Sequence, residues 1–357
     1  MMRRSAISLL LAVFAGSVGA QVVPSPPPPP AAPGSPAIHA GPMELDVVVT
    51  DRSGHAVPGL QQSDFTLLDN GRPTNLLSFE AMGGSTPQNE PVQALIVIDE
   101  INTGYVAIST VRPQLHAILT QNGGHLPFPV TVVFITDTGI QQVNQPTTDG
   151  NQIDALVAKQ QSTLRAIDQS AGFYGGADRL QISLKALYSL TSTLAPLPGH
   201  KLMIWVSQGW WMFNNPNVYI SEQQRKNFFG AIVDLSNTLR DGRITMYAVD
   251  PHGTEDAGSM RNVEWEDFVK PVREVKRANP GNLALQVLST DSGGLVLYGS
   301  NNVGGEISQC LDDGKVFYRI TFDVQHADAP NTWHDLTVKV DKPGLKIRAR
   351  NGYYAGP

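Results

Sequence analysis

Polar side chains follow the apolar runs of this sequence at several points. Asp99, Asn102 and Thr103 come directly after the run ALIVI, Gln208 follows the run KLMIWVS, and a further loop carries Thr148. If the runs are parallel strands, their carboxyl ends meet at one edge of a sheet, where ligands usually bind. Hydroxyl and carboxylate oxygens gathered at such an edge could hold Mg²⁺ or Ca²⁺.

An aromatic segment follows the same strand end as Gln208. It contains Trp210, Trp211 and Phe213, and the Asn- and Pro-rich stretch behind it keeps it from becoming a helix. Aromatic side chains clustered on a loop are typical anchors of protein interfaces. The alternative is that one or both tryptophans fold back over the sheet edge. We predict a partner-binding edge made of Asn102, Gln208, Trp210, Trp211 and Phe213.

The residue patterns of common catalytic centres are missing, so we predict no catalytic residue and no enzyme. The eight histidines never occur as HxH, HxxxH or HExxH, which argues against a zinc site. The sequence has no GxSxG, no Walker loop and no GxGxxG after a strand. No cofactor is predicted beyond a weakly held Mg²⁺ or Ca²⁺. With a net charge of −6, the chain has no basic excess for nucleic acid.

The polar positions depend on a middle region, residues 91–312, in which strand and helix patterns alternate. Apolar, β-branched runs occur at 94–98, 130–136, 201–207, 244–249 and 294–299, with helical patterns between them. Continuous apolar runs of this length fit strands buried on both faces. The region predicts an α/β fold with a doubly wound, mostly parallel, Rossmann-like sheet. The segment GIQQVNQ predicts an antiparallel edge strand.

Both flanking segments have the period-two pattern of strands. Residues 43–90 contain ELDVVVT, FTLLD and TNLLSF, with Asn70-Gly71 as a hairpin signal. Residues 313–357 contain VFYRITFDV, HDLTVKV and LKIRARNGYY. Three strands at each end are too few for two independent sheets. We therefore predict one β-sandwich built from both segments, with the middle region inserted between them.

The beginning of the chain has the features of an export signal. Residues 1–20 combine Arg3 and Arg4 with a short apolar run and small residues at a cleavage site. Residues 21–42 are rich in proline and predict an extended linker. No later segment reaches the length of a membrane span, so the sequence predicts a secreted or periplasmic chain. Its single cysteine, Cys310, excludes an intramolecular disulfide and is predicted to be a buried small apolar residue.

The strand-end residues and the flanking segments resemble a known family. A carboxylate after the first buried strand, hydroxyls behind it and a later threonine loop are similar to a von Willebrand factor type A (VWA) domain. The blocks LDVVVTDRSGHAVPGLQQSDFTLLDNG, GHKLMIWVSQG, ITMYAVDPHG and RARNGYYA resemble a bacterial family of exported VWA-related proteins, described largely from Acidobacteria. The resemblance covers residues 44–355 and implies a VWA-type fold.

In the wider VWA family, a metal-ion-dependent adhesion site has a ligand pattern that this sequence keeps only in part. Asp99 matches the first aspartate, Thr103 can replace the second serine, and Thr148 or its neighbour matches the distant threonine. Ile101 stands where the first serine belongs, and Gln208 where the last aspartate belongs. The resemblance thus implies a degenerate site that binds an ion weakly. The alternative is that Asp99 and Thr103 cap the following helix.

Together these features predict an exported, non-catalytic protein-binding or adhesion module of VWA type. A bound ion would complete its shell with a carboxylate supplied by the protein partner. The alternative function is a periplasmic scaffold or assembly subunit without a metal, which binds through an edge of its β-domain around residues 336–340.

Overall fold

The computed structural model describes residues 41–83, 90–160, 172–210, 220–256, 265–325 and 329–356. The predicted signal peptide, most of the predicted linker, Trp211 and Phe213 lie outside the described residues. The strands are β1 (Pro42–Thr50), β2 (Phe65–Asp69), β3 (Arg72–Pro73), β4 (Leu76–Gly83), β5 (Val92–Asp99), β6 (His125–Thr136), β7 (Gly139–Gln142), β8 (Thr147–Asp149), β9 (His200–Val206), β10 (Ile244–Val249), β11 (Val296–Leu297), β12 (Val316–Asp323), β13 (Thr332–Val340), β14 (Lys346–Arg348) and β15 (Gly352–Ala355). The α-helices are α1 (Tyr105–Thr120), α2 (Gly150–Val157), α3 (Gly172–Leu194), α4 (Glu222–Asp241), α5 (Leu285–Asp291) and α6 (Val303–Asp312).

A seven-stranded sheet forms the centre of the middle region, in the order β11-β10-β9-β5-β6-β7, with β8 also paired to β6. The pairs among β5, β6, β9, β10 and β11 are parallel. Strands β7 and β8 run antiparallel to β6. The predicted α/β class with a mostly parallel sheet is confirmed, and the edge strand predicted at GIQQ is β7.

Apolar cores cover both faces of this sheet. On one face, α3 and α4 pack on the strands with side chains such as Leu187, Leu235 and Trp205. On the other face, α1, α2 and α6 pack on a second set that includes Ile108 and Ile204. Strands covered on both sides have no solvent-facing positions, which is why they are continuous apolar runs in the sequence.

Two four-stranded sheets form a β-domain, in the orders β14-β1-β12-β4 and β15-β13-β2-β3. Each sheet joins strands from both ends of the chain, since β1 pairs with β12 and β2 pairs with β13. Their apolar side chains form one core that includes Leu45, Leu67, Phe322 and Tyr353. The predicted pairing of the two chain ends is therefore present. The sheets contain more strands than the six predicted, because short strands such as β3 and β14 complete them.

A tight turn at Asn70 and Gly71 joins β2 to β3. The two residues have φ values of 48° and 77°, which is the left-handed region that a two-residue hairpin of type I′ requires. Asn and Gly adopt this region with the least strain. The predicted hairpin is present, but its second strand is only β3. The segment LLSFEAMG continues as β4 and pairs with β12 in the other sheet.

Residues 336–340 are the second half of β13, and they pair with β2 on one side. Strand β15 pairs only with residues 332–335 of β13, so no described strand pairs along the other side of residues 336–340. The edge predicted at these residues stays a prediction. Strand β4 occupies an edge of the other sheet, and its Leu77 is 51% exposed.

Charged side chains join the β-domain to the α/β region. Arg243 precedes β10 and makes hydrogen bonds of 2.6 and 3.2 Å with the carboxylate of Asp46 on β1. It also contacts Glu90 at 2.6 Å, and Glu90 pairs in turn with Arg319 of β12. The side chains of Arg243 and Asp46 are each only 9% exposed. The network is therefore shielded from water and connects the β-domain to the α/β region. The domain limits at residues 91 and 312 remain a prediction.

Cys310 lies on α6 and is fully buried. Burial raises the pKa of its thiol well above the usual range, and the side chain packs in the same core as Val303 and Ile307. It is the buried small apolar residue that the sequence predicts. Within the described ranges, no helix combines the length and the apolar character needed to cross a membrane.

Candidate functional site

Asp99 ends β5 and organises the turn that follows. Its Oδ1 accepts hydrogen bonds from the backbone N–H groups of Ile101 at 3.1 Å and Asn102 at 3.0 Å. Its Oδ2 accepts from Nδ2 of Asn102 at 2.9 Å and from Nε1 of Trp205 at 3.0 Å. Asp99 is fully buried. Four donors thus occupy the roughly four acceptor positions of a carboxylate, which makes Asp99 an anchor for the turn.

Asn102 extends this network to the neighbouring elements. Its Nδ2 also donates to Oγ of Ser183 on α3 at 2.8 Å. Its carbonyl oxygen accepts from Nε2 of Gln208 at 2.6 Å, and the carbonyl of Gln208 accepts from Gln286 on α5 at 3.2 Å. The turn after β5 is thereby tied to α3, to the end of β9 and to α5. Buried networks with every member satisfied hold a structure rigid.

The predicted helix cap is not what the structure contains. Helix α1 begins at Tyr105, and its N-cap is Gly104, which makes no side-chain capping bond. Asp99 bonds to the turn before the helix. Thr103 is 2% exposed, and its Oγ1 has no hydrogen-bond partner among the described residues. The interpretation of Asp99 and Thr103 as helix caps is therefore wrong, because Asp99 bonds to the turn before the helix and the hydroxyl of Thr103 accepts no helical N–H.

Thr148 does not lie near Asp99. It belongs to β8, where Thr147 is opposite Val130 in the first half of β6, whereas Asp99 is opposite Ile135 near the end of β6. Five residues of strand separate the two levels, or about 16 Å at 3.3 Å per residue. The threonine of the predicted ion site is thus placed toward the other end of the sheet.

The residues around Asp99 do not fit a cation. A metal ligand needs a free lone pair, and both carboxylate oxygens of Asp99 already accept from two N–H donors each. Gln208 carries no charge and uses its amide to hold Asn102. In the part of the chain that the structure describes, no group of three or more His, Cys, Asp or Glu side chains is arranged to hold a metal ion. We therefore derive no function through an ion at Asp99.

The tryptophan that follows Gln208 is turned inward. Trp210 is 4% exposed and meets Trp205 edge-to-face, with ring centroids 5.2 Å apart. Asn102 is also 4% exposed. Both side chains are buried beneath the surface and are not available for contact with a partner. The prediction that Asn102 and Trp210 form part of the partner-binding edge is therefore corrected. Gln208 is partly exposed, and Trp211 and Phe213 lie outside the described residues.

Exposed apolar side chains stand at the carboxyl edge, which we define as residues 99–106, 207–210, 250–254 and 298–302. Tyr105 is 67% and Val106 is 75% exposed, in the first turn of α1, and Tyr298 is 42% exposed just after β11. The exposure of Tyr105 and Val106 could have been inferred from the sequence. The buried positions of α1 begin at Ala107 and follow a helical stripe through Leu119, which leaves two apolar residues outside the stripe.

Comparisons with known proteins find similar solved structures but no relative by sequence. No family model matches the chain, and no curated protein matches it. Among solved structures, the proximal thread matrix protein 1 of the mussel byssus is 9% identical, with a TM-score of 0.34 over 66% of this chain and 50% of that one. The pilus adhesin SpaC of Lactobacillus rhamnosus GG is 10% identical, with a TM-score of 0.37 over 84% and 49%.

A structure described as a von Willebrand factor type A protein from Catenulispora acidiphila is 8% identical, with a TM-score of 0.31 over 88% of this chain and 74% of that one. The chain spans about half the length of the mussel protein and of the pilus adhesin. The similar structures thus include a VWA protein at low identity. Similarity at this level assigns neither a binding partner nor an activity.

Proposed function

We propose that this chain is an exported, non-catalytic protein-binding or adhesion module of VWA type that contacts its partner through the carboxyl edge. Its ion site at Asp99 is degenerate, and the contact is made without a metal. The observation that carries the proposal is the exposure of Tyr105 and Val106 directly beyond the hydrogen-bonded turn of Asp99.

The turn beneath these side chains supplies the rigidity that a contact surface needs. Asp99, Asn102 and Trp205 fix the chain up to the start of α1 through buried hydrogen bonds. Binding therefore costs little ordering of the backbone at this point, which is how preorganised surfaces gain affinity. The network thus serves as a support, and the exposed residues beyond it make the contact.

The chemistry of the exposed residues indicates an apolar protein partner. A tyrosine and a valine side by side present an aromatic and an aliphatic surface, and fully burying side chains of this size stabilises a complex by about 1.5–3 kcal/mol each. Aromatic anchors of this kind dominate the energy of protein interfaces. The carboxyl edge therefore favours a partner with a shallow apolar pocket.

The test compares a variant of the carboxyl edge with a matched variant of the β-domain. The chain carrying Tyr105→Ser and Val106→Ser is used to capture proteins from the cell envelope and the medium of the source organism, and capture is quantified against the unaltered chain. We expect at least a tenfold loss for a specific partner, since each 1.4 kcal/mol corresponds to a factor of ten. Leu77→Ser on β4 is the control and should leave capture unchanged.

The alternative function is supported by a different surface. Strand β4 lies at a sheet edge and exposes Leu77, and open strand edges pair readily with other chains. If Leu77→Ser abolishes capture while the double variant of Tyr105 and Val106 does not, the chain is a scaffold that binds through its β-domain. Turnover of a substrate that a single edge substitution abolishes would overturn both functions.

A further inference from the structure

Asp250 places an unpartnered carboxylate oxygen at the end of β10. The residue is 6% exposed. Its Oδ1 accepts from the backbone N–H of His252 at 3.0 Å and lies 2.9 Å from Nδ1 of the same ring. These contacts fix the orientation of the carboxylate. Its Oδ2 is shielded from solvent and has no hydrogen-bond partner in the part of the chain that the structure describes.

Glu306 presents a second unpartnered oxygen from α6. Its position is three residues after Val303 and four before Cys310, so it lies on the same helix face as these buried residues. Its Oε2 is shielded from solvent, and no described residue forms a hydrogen bond with it. The helix start is already capped, because Asn302 Oδ1 accepts from the N–H of Gly305 at 2.9 Å. The glutamate is therefore not needed as a cap.

The loop after Asp250 is bound to the segment that leads into α6. The backbone N–H of Thr254 donates to Oδ1 of Asn301 at 3.0 Å. Gly253 has a φ of 67°, and a Cβ there would lie 2.0 Å from the same Asn301 oxygen. This close approach brings the end of β10 and the start of α6 together, and α6 also packs against β10.

Among the described residues, neither carboxylate forms an ion pair with a lysine or arginine, and the titratable group that contacts Asp250 is the imidazole of His252. Burial is the main cause that raises the pKa of Glu306, to about 7, and the nearby charge of Asp250 raises it further. No lysine or arginine contributes an opposing effect there. Buried carboxylates normally pair with a cation or coordinate a metal.

We propose that Asp250 and Glu306 bind one small divalent cation, Ca²⁺ or Mg²⁺, between β10 and the start of α6. Hard oxygen ligands suit these two ions, which complete their shells with backbone carbonyls and water. His252 holds the ligating carboxylate of Asp250 in place, as outer groups around metal ligands commonly do.

This site is separate from the turn at Asp99. Strand β9 lies between β5 and β10, and the oxygens of Asp99 are all used. The cation site also does not depend on the proposed contact through Tyr105 and Val106, so either can fail without the other.

The test is calorimetric titration of the chelator-treated full chain with CaCl₂ and, separately, with MgCl₂. We expect saturable binding of one ion per chain. Asp250→Asn and Glu306→Gln keep the side-chain shape and should each raise the Kd at least tenfold. Asp312→Asn is the matched control, because Asp312 is on the same helix but pairs with Lys315 at the surface, and its Kd should equal that of the unaltered chain.

Two results would overturn the proposal. One is the absence of saturable binding of both ions to the unaltered chain. That result would mean that protonation, and not a bound ion, neutralises the negative charge of the two carboxylates. The other is binding that Glu306→Gln and Asp250→Asn both leave unchanged, which would place the ion elsewhere. Circular dichroism confirms that each variant is folded, and Glu306→Gln alone decides the question if Asp250→Asn does not fold.

Discussion

Nε1 of Trp205 donates a hydrogen bond of 3.0 Å to Oδ2 of Asp99. The register of the sheet explains this contact, because Trp205 of β9 lies opposite Val97 of β5. Asp99 is two residues beyond Val97 and therefore points to the same face of the sheet. A residue 106 positions later in the chain thus completes the hydrogen bonding of the carboxylate.

Replacing Trp205 by phenylalanine removes this donor and retains most of the ring. Oδ2 of Asp99 then keeps a single partner in a buried place, and we expect the free energy of unfolding to fall by about 1–3 kcal/mol beyond the loss of packing. Urea denaturation followed by circular dichroism measures the change.

The matched control is Trp210→Phe, since Nε1 of the neighbouring Trp210 has no hydrogen-bond partner within the described ranges. That substitution removes similar volume without breaking a hydrogen bond, so its cost should be clearly smaller. Equal losses for the two variants would show that packing alone, and not the bond to Asp99, holds the turn.

Arg243→Met tests the network of charged side chains that connects the β-domain to the α/β region. It removes the arginine that hydrogen-bonds to the buried carboxylate of Asp46, while Glu90 keeps its pair with Arg319. Breaking a buried pair in this way costs about 3–5 kcal/mol. Lys226→Met is the control, because Lys226 and Glu222 form an exposed pair that contributes about 0–1 kcal/mol. Differential scanning calorimetry of both variants gives the comparison. A loss of stability no larger than that of the control would contradict a structural role for the network.

Asp291 makes the stability depend on pH. Burial raises its pKa to about 6, although the hydrogen bond from Asn351 and the charge of Arg350 oppose the shift. The unfolded value is about 3.9, so the folded chain binds more protons between roughly pH 4 and 6. The stabilisation by protonated Asp291 is complete below pH 4 and is lost as the pH rises through 6.

We therefore expect Asp291→Asn to gain stability relative to the unaltered chain as the pH increases. The difference between their free energies of unfolding should shift by up to about 3 kcal/mol from pH 4 to pH 7, at 1.36 kcal/mol per pKa unit. Urea titrations at four pH values measure it. A difference that stays constant over this range would show that Asp291 titrates normally.

Much of the architecture could be predicted from the sequence, because it depends on local patterns. The apolar runs of the middle region become β5, β6, β9, β10 and the start of β11, and the turn at Asn70-Gly71 is where the pattern predicts it. The place of β4 at an edge of its sheet in the β-domain could not be predicted. An alternating pattern shows that a segment is a strand, but not how many neighbours the strand has.

The sequence predicted the position of the candidate site in the fold, but not which of its side chains are exposed. A strand ending at Asp99, and a candidate contact surface at the carboxyl edge, follow from the alternation of strands and helices. Tyr105 and Val106 were missed, although they stand outside the buried stripe of α1. Trp210 was expected at a contact surface, and it packs on Trp205 because that face of the sheet has an apolar core to receive it.

The sequence by itself determined which segments are strands and helices, that the two chain ends have matching strand patterns, and that Asp99 follows a buried strand. The tertiary structure decided what the Asp99 carboxylate does. Its donors include Trp205, and the position of Asn102 depends on Ser183 and Gln208. These residues are distant along the chain and meet only through the order and register of β5 and β9. Whether a carboxylate oxygen is free for a ligand depends on such contacts, and no local pattern of residues encodes them.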